Sequence, residues 1–228
     1  MQQWSLDANE HVRRLASEGS RPRLPWSFRL AAVQANPQLC ASILDNLKAD
    51  SSLYVRKSVA NHLNDITKDH PEWVLSLIEG WNLDNPHTAW IARHALRSLI
   101  KQGNPRALTI MGAGARAEVN IHHLKVTPAV INLGERINLS FSLESTATAA
   151  QKLVVDYAID YVKSAGHSAA KVFKLKAFTL GAGEHQSIRR EQHIRELTTR
   201  KHYAGKHWVH VLVNGEKLAS AEFELLKP

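Results

Sequence analysis

Hydrophobic periodicity changes once along this 228-residue chain, and that change restricts the fold more than any single motif does. From residue 8 to about 110 the apolar residues recur at helical spacing, with Pro at 22, 25, 37, 71, 86 and 105 punctuating the segments. Beyond Met111–Ala117 (MGAGARA) they alternate with a period of two. The glycines of MGAGARA follow no strand and precede no GK[ST], so the stretch reads as a linker rather than a phosphate loop. The expectation is a two-domain α + β chain, with a helical unit at residues 1–112, a linker at 113–118 and an all-β unit at 119–228.

Within the helical part, Tyr54–Pro71 (YVRKSVANHLNDITKDHP) places Val55, Val59, Leu63 and Ile66 on one helix face. A second row, Lys57, Asn61 and Asp65, falls at i, i+4, i+8, so a cation, an amide and a carboxylate lie one above another. The pattern recurs. His11-Val12-Arg13-Arg14, Tyr54-Val55-Arg56-Lys57 and Trp90-Ile91-Ala92-Arg93 open comparable helices at intervals suited to HEAT-type repeats, which stack helix pairs into an α-solenoid.

Aligning the three copies brings Arg14, Lys57 and Arg93 to one position. It brings Glu18, Asn61 and Arg97 to the next turn, and Asp65 and Lys101 to the one after. Stacked repeats present equivalent positions on one surface, here basic with Glu18 and Asp65 set into it. Arg13, Arg21, Arg23, Arg29 and Arg56 add to the same region. Evenly spaced cations suit the phosphate backbone of a duplex. The competing reading is that these charges merely solvate helix starts.

In the second half Ile137–Leu143, Leu153–Val162, Val172–Leu180, Trp208–Val213 and Ala219–Leu226 read as strands, with shorter ones at His123–Val126 and Ser187–Ile194. Asn214-Gly215 between two strand runs is a hairpin signal. About seven strands at this spacing predict an antiparallel immunoglobulin-like β-sandwich.

A net charge of +8 and a pI near 9.7 favour polyanionic partners, nucleic acid foremost. Cys40 is the single cysteine, so no disulfide framework forms within the chain and a reducing, cytoplasmic compartment is expected. No apolar run approaches the ~20 residues of a membrane helix. His122-His123 and His207-x-x-His210 lack accompanying ligand spacing, and His207 and His210 fall on opposite strand faces, so no metal and no cofactor is expected.

His11–Trp26 (HVRRLASEGSRPRLPW), Tyr54–Pro71 and Trp90–Leu108 (WIARHALRSLIKQGNPRAL) resemble the AlkC-type DNA alkylpurine glycosylases, DNA alkylation repair proteins built from HEAT-like repeats. Lys152–Phe178 and Thr198–Gly215 resemble the immunoglobulin-like domain that follows the repeats in one branch of that family. Members usually carry over a hundred further residues before the position of Met1, so a fragment or a short relative is expected.

The resemblance implies excision of cationic alkylated purines such as 3-methyladenine from double-stranded DNA, by hydrolysis of the N-glycosidic bond without base flipping. It matches Asp65 and Glu18 to the family's active-site carboxylates, and Trp26, with Asn61, to the neighbourhood of the lesion. Arg13, Arg14, Arg21, Arg23, Arg56, Lys57, Arg93, Arg97 and Lys101 become DNA contacts. From the basic run of the sandwich, Arg200 and Lys201 join them.

Each assignment has a structural alternative. Glu18 pairs with Arg14, Trp26 packs at a helix start, and the basic run is a solvated surface. The alternative for the whole chain is a non-catalytic DNA-binding or partner-binding scaffold. Trp73, Trp81 and Trp90 fall among apolar neighbours and are expected in the core.

Overall fold

The computed structural model describes residues 1–113, 116–164, 166–196, 198 and 201–227. The chain divides into two units, Met1–Met111 and Gly112–Pro228. Residues 114 and 115 of the expected linker lie outside the described residues.

In the first unit a short 3-10 turn at Gln3–Leu6 precedes eight α-helices. They are α1 (Glu10–Glu18), α2 (Ala31–Ala35), α3 (Ala41–Asn46), α4 (Leu53–Ile66), α5 (Pro71–Glu79), α6 (Pro86–Ala95), α7 (Arg97–Lys101) and α8 (Pro105–Ile110). Pro71, Pro86 and Pro105 each occupy a first helical turn, where the missing N–H has no partner to lose. Asn9, Asn85 and Asn104 cap the helices that follow them by accepting bonds from backbone N–H groups.

The helices form two layers. In one, α4 packs between α1 and α6, which are the three helices equated by the repeat. Behind it, α5 packs against α4 and α8. The stripe Val55, Val59, Leu63 and Ile66 is the buried side of α4. At about 1.5–3 kcal/mol for each buried side chain, it outweighs the weak intrinsic helix preference of the valines and asparagines in this helix. Trp81 is buried in this core, and Trp73 and Trp90 pack against it partly exposed.

The second unit is a two-sheet sandwich. Its strands are β1 (Val119–Thr127), β2 (Val130–Asn132), β3 (Arg136–Ser145), β4 (Gln151–Val162), β5 (Ser168–Leu180), β6 (His185–His193), β7 (Gly205–Val213) and β8 (Glu216–Leu226). One sheet has the order β1-β3-β6 and the other β2-β8-β7-β4-β5. All pairings are antiparallel except β2 with β8.

Asn214 and Gly215 both take positive φ, 49° and 80°, making the tight turn that joins β7 to β8. The strand β2 was not among those expected. Three residues are too few to show a period, and its pairing is parallel to the distant end of the chain. Inward residues from both sheets, among them Leu139, Phe141, Tyr157, Ile159, Val209, Val211 and Phe223, form a core with no disulfide.

Candidate active site

The turn before α4 sets the position of the helix that carries Asp65. Its Asp50 carboxylate accepts from Arg13 Nε at 2.7 Å and from the backbone N–H of Ser52 at 2.8 Å. On the other side, Arg56 Nη1 donates to the carbonyls of Asp50 and Ser51 at 2.8 and 2.7 Å. Arg56 therefore satisfies two carbonyls of this helix-entry turn, and Arg13 holds its carboxylate. Arg13 and Arg56, expected as phosphate contacts, are here engaged within the fold. Arg56 is buried, and Arg13 is held by Asp50 together with the carbonyls of Asp7 and Ala8.

With α1 and α4 fixed in this way, Arg21 joins their two acids. Arg21 Nη1 lies 2.7 Å from Glu18 Oε1, and Arg21 Nε lies 2.8 Å from Asp65 Oδ2. The guanidinium side chain is 8% exposed, less than either carboxylate at 23% and 16%, so it lies beneath them rather than over them.

The two acids differ in what remains open. Glu18 Oε2 accepts from the buried Ser58 hydroxyl at 2.5 Å and lies 3.4 Å from Arg14, so both of its oxygens are engaged. Asp65 Oδ1 takes no hydrogen bond among the described residues.

Their electrostatics diverge accordingly. Burial pushes the Glu18 carboxyl up, but Ser58, Arg21 and Arg14 together outweigh it and hold the group below its ordinary value. For Asp65 burial wins over the opposing pull of Arg21 and Arg97, and its pKa is raised. Arg21 itself loses to burial but gains more from the two carboxylates, so it stays charged.

Trp26 stands on the loop between α1 and α2. The base of that loop is tied to the end of α4, where Arg23 donates to both oxygens of Asp69 at 3.1 and 2.5 Å. Asp69 lies one turn beyond Asp65. At the tip Trp26 is 106% exposed with φ at +65°, so its indole packs on nothing in the fold. The alternative of a packing tryptophan is thereby excluded. Phe28, two residues on, is also exposed.

Three similarities bear on this arrangement. Residues 120–227 match the family model of the C-terminal Ig-like domain of uncharacterised protein YhaZ. The uncharacterized protein YhaZ of Bacillus subtilis (strain 168) is 45% identical over 222 residues, which is 97% of this chain and 62% of that protein. The solved structure of Pseudomonas fluorescens alkylpurine DNA glycosylase AlkC, bound to DNA containing an abasic site analog, is 87% identical. Its TM-score is 0.96, and the match covers 99% of this chain and 63% of that one.

Over nearly its whole length this chain is similar to YhaZ and to AlkC. It spans a little over three fifths of the length of these two relatives.

Along the face of the helical unit the expected DNA contacts divide into two groups. Arg14, Arg21 and Arg23 are engaged with acids, and Arg14 also donates to the Tyr54 carbonyl and lies 4.1 Å over the Tyr54 ring. Lys57, Arg93 and Lys101 are exposed and make no hydrogen bond or ion pair among the described residues. Arg97 donates to Asn61 Oδ1 at 3.1 Å and to the His94 carbonyl. In the second unit Lys201 is exposed, while Arg200 lies outside the described residues.

Sequence reasoning missed Ser58 and Asn64. Asn64 is buried and donates to the Ala95 carbonyl at 2.8 Å and to Ser98 at 3.0 Å, stitching α4 to the next repeat. Among the described residues no group of three or more His, Cys, Asp or Glu is placed to hold a metal, and no helix is long and apolar enough to cross a membrane.

Proposed function

We propose that this chain acts in the repair of alkylated DNA, hydrolysing the N-glycosidic bond of cationic alkylpurines such as 3-methyladenine. The observation that supports this best is the asymmetry of the carboxylate pair. Asp65 is held at one oxygen by Arg21 and open at the other, while Glu18 is spent entirely on Arg21, Ser58 and Arg14.

A cationic purine already leaves well, because the electrons of the breaking bond neutralise it. The barrier that remains is positive charge on the sugar and delivery of water to C1′. A carboxylate beside C1′ stabilises that charge and accepts a proton from the attacking water. Asp65 takes this role through Oδ1, and Glu18 acts as the anchor of Arg21. Trp26, projecting from an anchored loop, offers a flat face to the sugar or the cationic base, an attraction of about 0.5–2 kcal/mol. The duplex is held by its backbone along the exposed cations, with the base remaining unflipped. A cytoplasmic location fits a chain with one buried cysteine.

The test is release of free base from duplex DNA containing 3-methyladenine, with Asp65→Asn alongside. Release that the substitution abolishes supports the glycosylase. The exposed cations Lys57, Arg93 and Lys101, which make no bond among the described residues, also suit a second reading, a non-catalytic DNA-binding scaffold. Salt-sensitive duplex binding by both proteins, with no base released by either, is the outcome expected of it.

A further inference from the structure

Between α4 and α6 lies a cleft of about 280 Å³, lined by Lys57, Ala60, Asn61, Trp90, His94 and Arg97. No carboxylate lines it. The His94 ring stacks on Trp90 with centroids 3.7 Å apart, and its Nδ1 donates to the Trp90 carbonyl at 2.8 Å, giving one wall a fixed aromatic surface. Asn61 spends its Oδ1 on Arg97, which leaves its Nδ2 with no partner among the described residues. Partial burial lowers the pKa of Arg97, Asp65 being the acid that pulls it back. Lys57 adds an ammonium that makes no bond among the described residues.

An ammonium, an amide N–H₂ and a guanidinium thus converge on one small space with no acid among its lining. We propose that this cleft is a discrete seat for one phosphodiester of the duplex, formed by Lys57, Asn61 and Arg97 against the Trp90–His94 wall. A tetrahedral monoanion with several acceptor oxygens matches that set of donors, whereas a nucleobase edge or a sugar would leave donors unmatched. Asn61 is then a backbone contact rather than a lesion contact.

Asn61 and Lys57 stand one and two turns before Asp65 on the same helix, ~6 and ~12 Å along its axis. The phosphate they hold therefore belongs within about three linkages of the sugar at Asp65, given ~3.4 Å of rise per phosphate. Seating it sets the register of the duplex against the carboxylate. This rests on the proposed function only in taking DNA as the ligand.

The experiment pairs a neutral linkage in the DNA with a neutral residue in the protein. Duplexes with a central abasic-site analogue, each carrying one methylphosphonate, are titrated with the whole chain, with Lys57→Gln and with Arg97→Gln. Lys57 is exposed and unbonded, so its replacement leaves folding intact.

The unsubstituted protein is expected to lose about tenfold in affinity, ~1.4 kcal/mol, at one linkage near the lesion. Both variants are expected to lose nothing further there, and the slope of log K against log salt to fall by about 1 in each. Equal sensitivity at every linkage, or a loss at that linkage that persists undiminished in both variants, would overturn the seat. The seat signature without release of 3-methyladenine leaves the seat standing and overturns the glycosylase. Release without the signature does the reverse, and no salt-sensitive duplex binding overturns both.

Discussion

Arg21 Nε and Asp65 Oδ2 lie 2.8 Å apart, across 44 residues of sequence, and this contact decides which oxygen of Asp65 remains available. Replacing the arginine should therefore hurt chemistry more than binding. Arg21→Met keeps much of the side-chain volume but removes the fork that holds both acids. A fall in kcat for base release of about tenfold or more is expected, with a smaller change in duplex affinity. Unfolding stability should drop by up to about 3 kcal/mol, because two partly buried carboxylates lose their counter-charge. Urea denaturation and single-turnover excision measure the two effects separately.

Ser58→Ala tests the other end of the network. Its hydroxyl is buried and helps hold Glu18 in the ionised form. Removing it should cost about 1.5–3 kcal/mol, the range for a hydrogen bond to a charged group. The Glu18 carboxyl should then titrate higher. Carboxyl-carbon NMR on the folded protein reads that change, and an unmoved Glu18 would show that the bond matters little.

The acids give opposite signs of pH dependence. Glu18 has a lowered pKa, so its contribution is present above the ordinary glutamate value and is lost as the pH falls through the folded one. Asp65 has a raised pKa, so its ionisation costs stability as the pH rises through that value. If Asp65 must be ionised to act, the acid limb of base release should fall above the ordinary aspartate value. In Arg21→Met that limb should move to still higher pH, and a pH–rate profile of both proteins checks this.

A larger acid effect comes from His62. It is wholly buried on α4, and neither ring nitrogen has a hydrogen-bond partner of good geometry, although the backbone of Ser17 lies close. Burial, reinforced by the charge of Arg21, lowers its pKa to about 3. The unfolded chain takes up that proton near pH 6.5, before the native protein does. Stability should therefore be intact above about pH 6.5 and decline below it, by up to ~1.4 kcal/mol per pH unit towards pH 3. His62→Leu should flatten that part of the curve, measured as unfolding free energy between pH 4 and 7.

Trp26 separates function from stability in one residue. Its indole touches nothing in the fold and its backbone is left-handed. Trp26→Gly should raise stability by about 1 kcal/mol by relieving that strain, while base release falls about tenfold. Thermal unfolding and excision kinetics on the same sample would show both. A loss of stability would mean the side chain packs after all.

What the sequence made legible was what is local. The stripe on α4 and the Asn214-Gly215 turn announce themselves within a few residues, and the equivalence of α1, α4 and α6 follows from spacing. Glu18 and Asp65 were visible as acids in a basic row. That Arg21 joins them, with Ser58 below, was not, because these contacts span 40 and 44 residues and depend on helix phase. Arg13 and Arg56 looked like surface cations for a related reason. Nothing in the sequence shows that Arg56 turns back onto the carbonyls of its helix-entry turn while Arg13 reaches that turn's carboxylate across 37 residues.

The repeat also carries a direction. At one equivalent position of the repeat stand Glu18 on α1, Asn61 on α4 and Arg97 at the start of α7, so the side chains pass from acid through amide to cation along the repeats. The two strands of a duplex run antiparallel and look alike to a uniformly basic groove. A graded surface has two unlike ends, so a polyanion laid along it meets a different charge at each. The order of three residues is thus enough to give the repeat face a polarity.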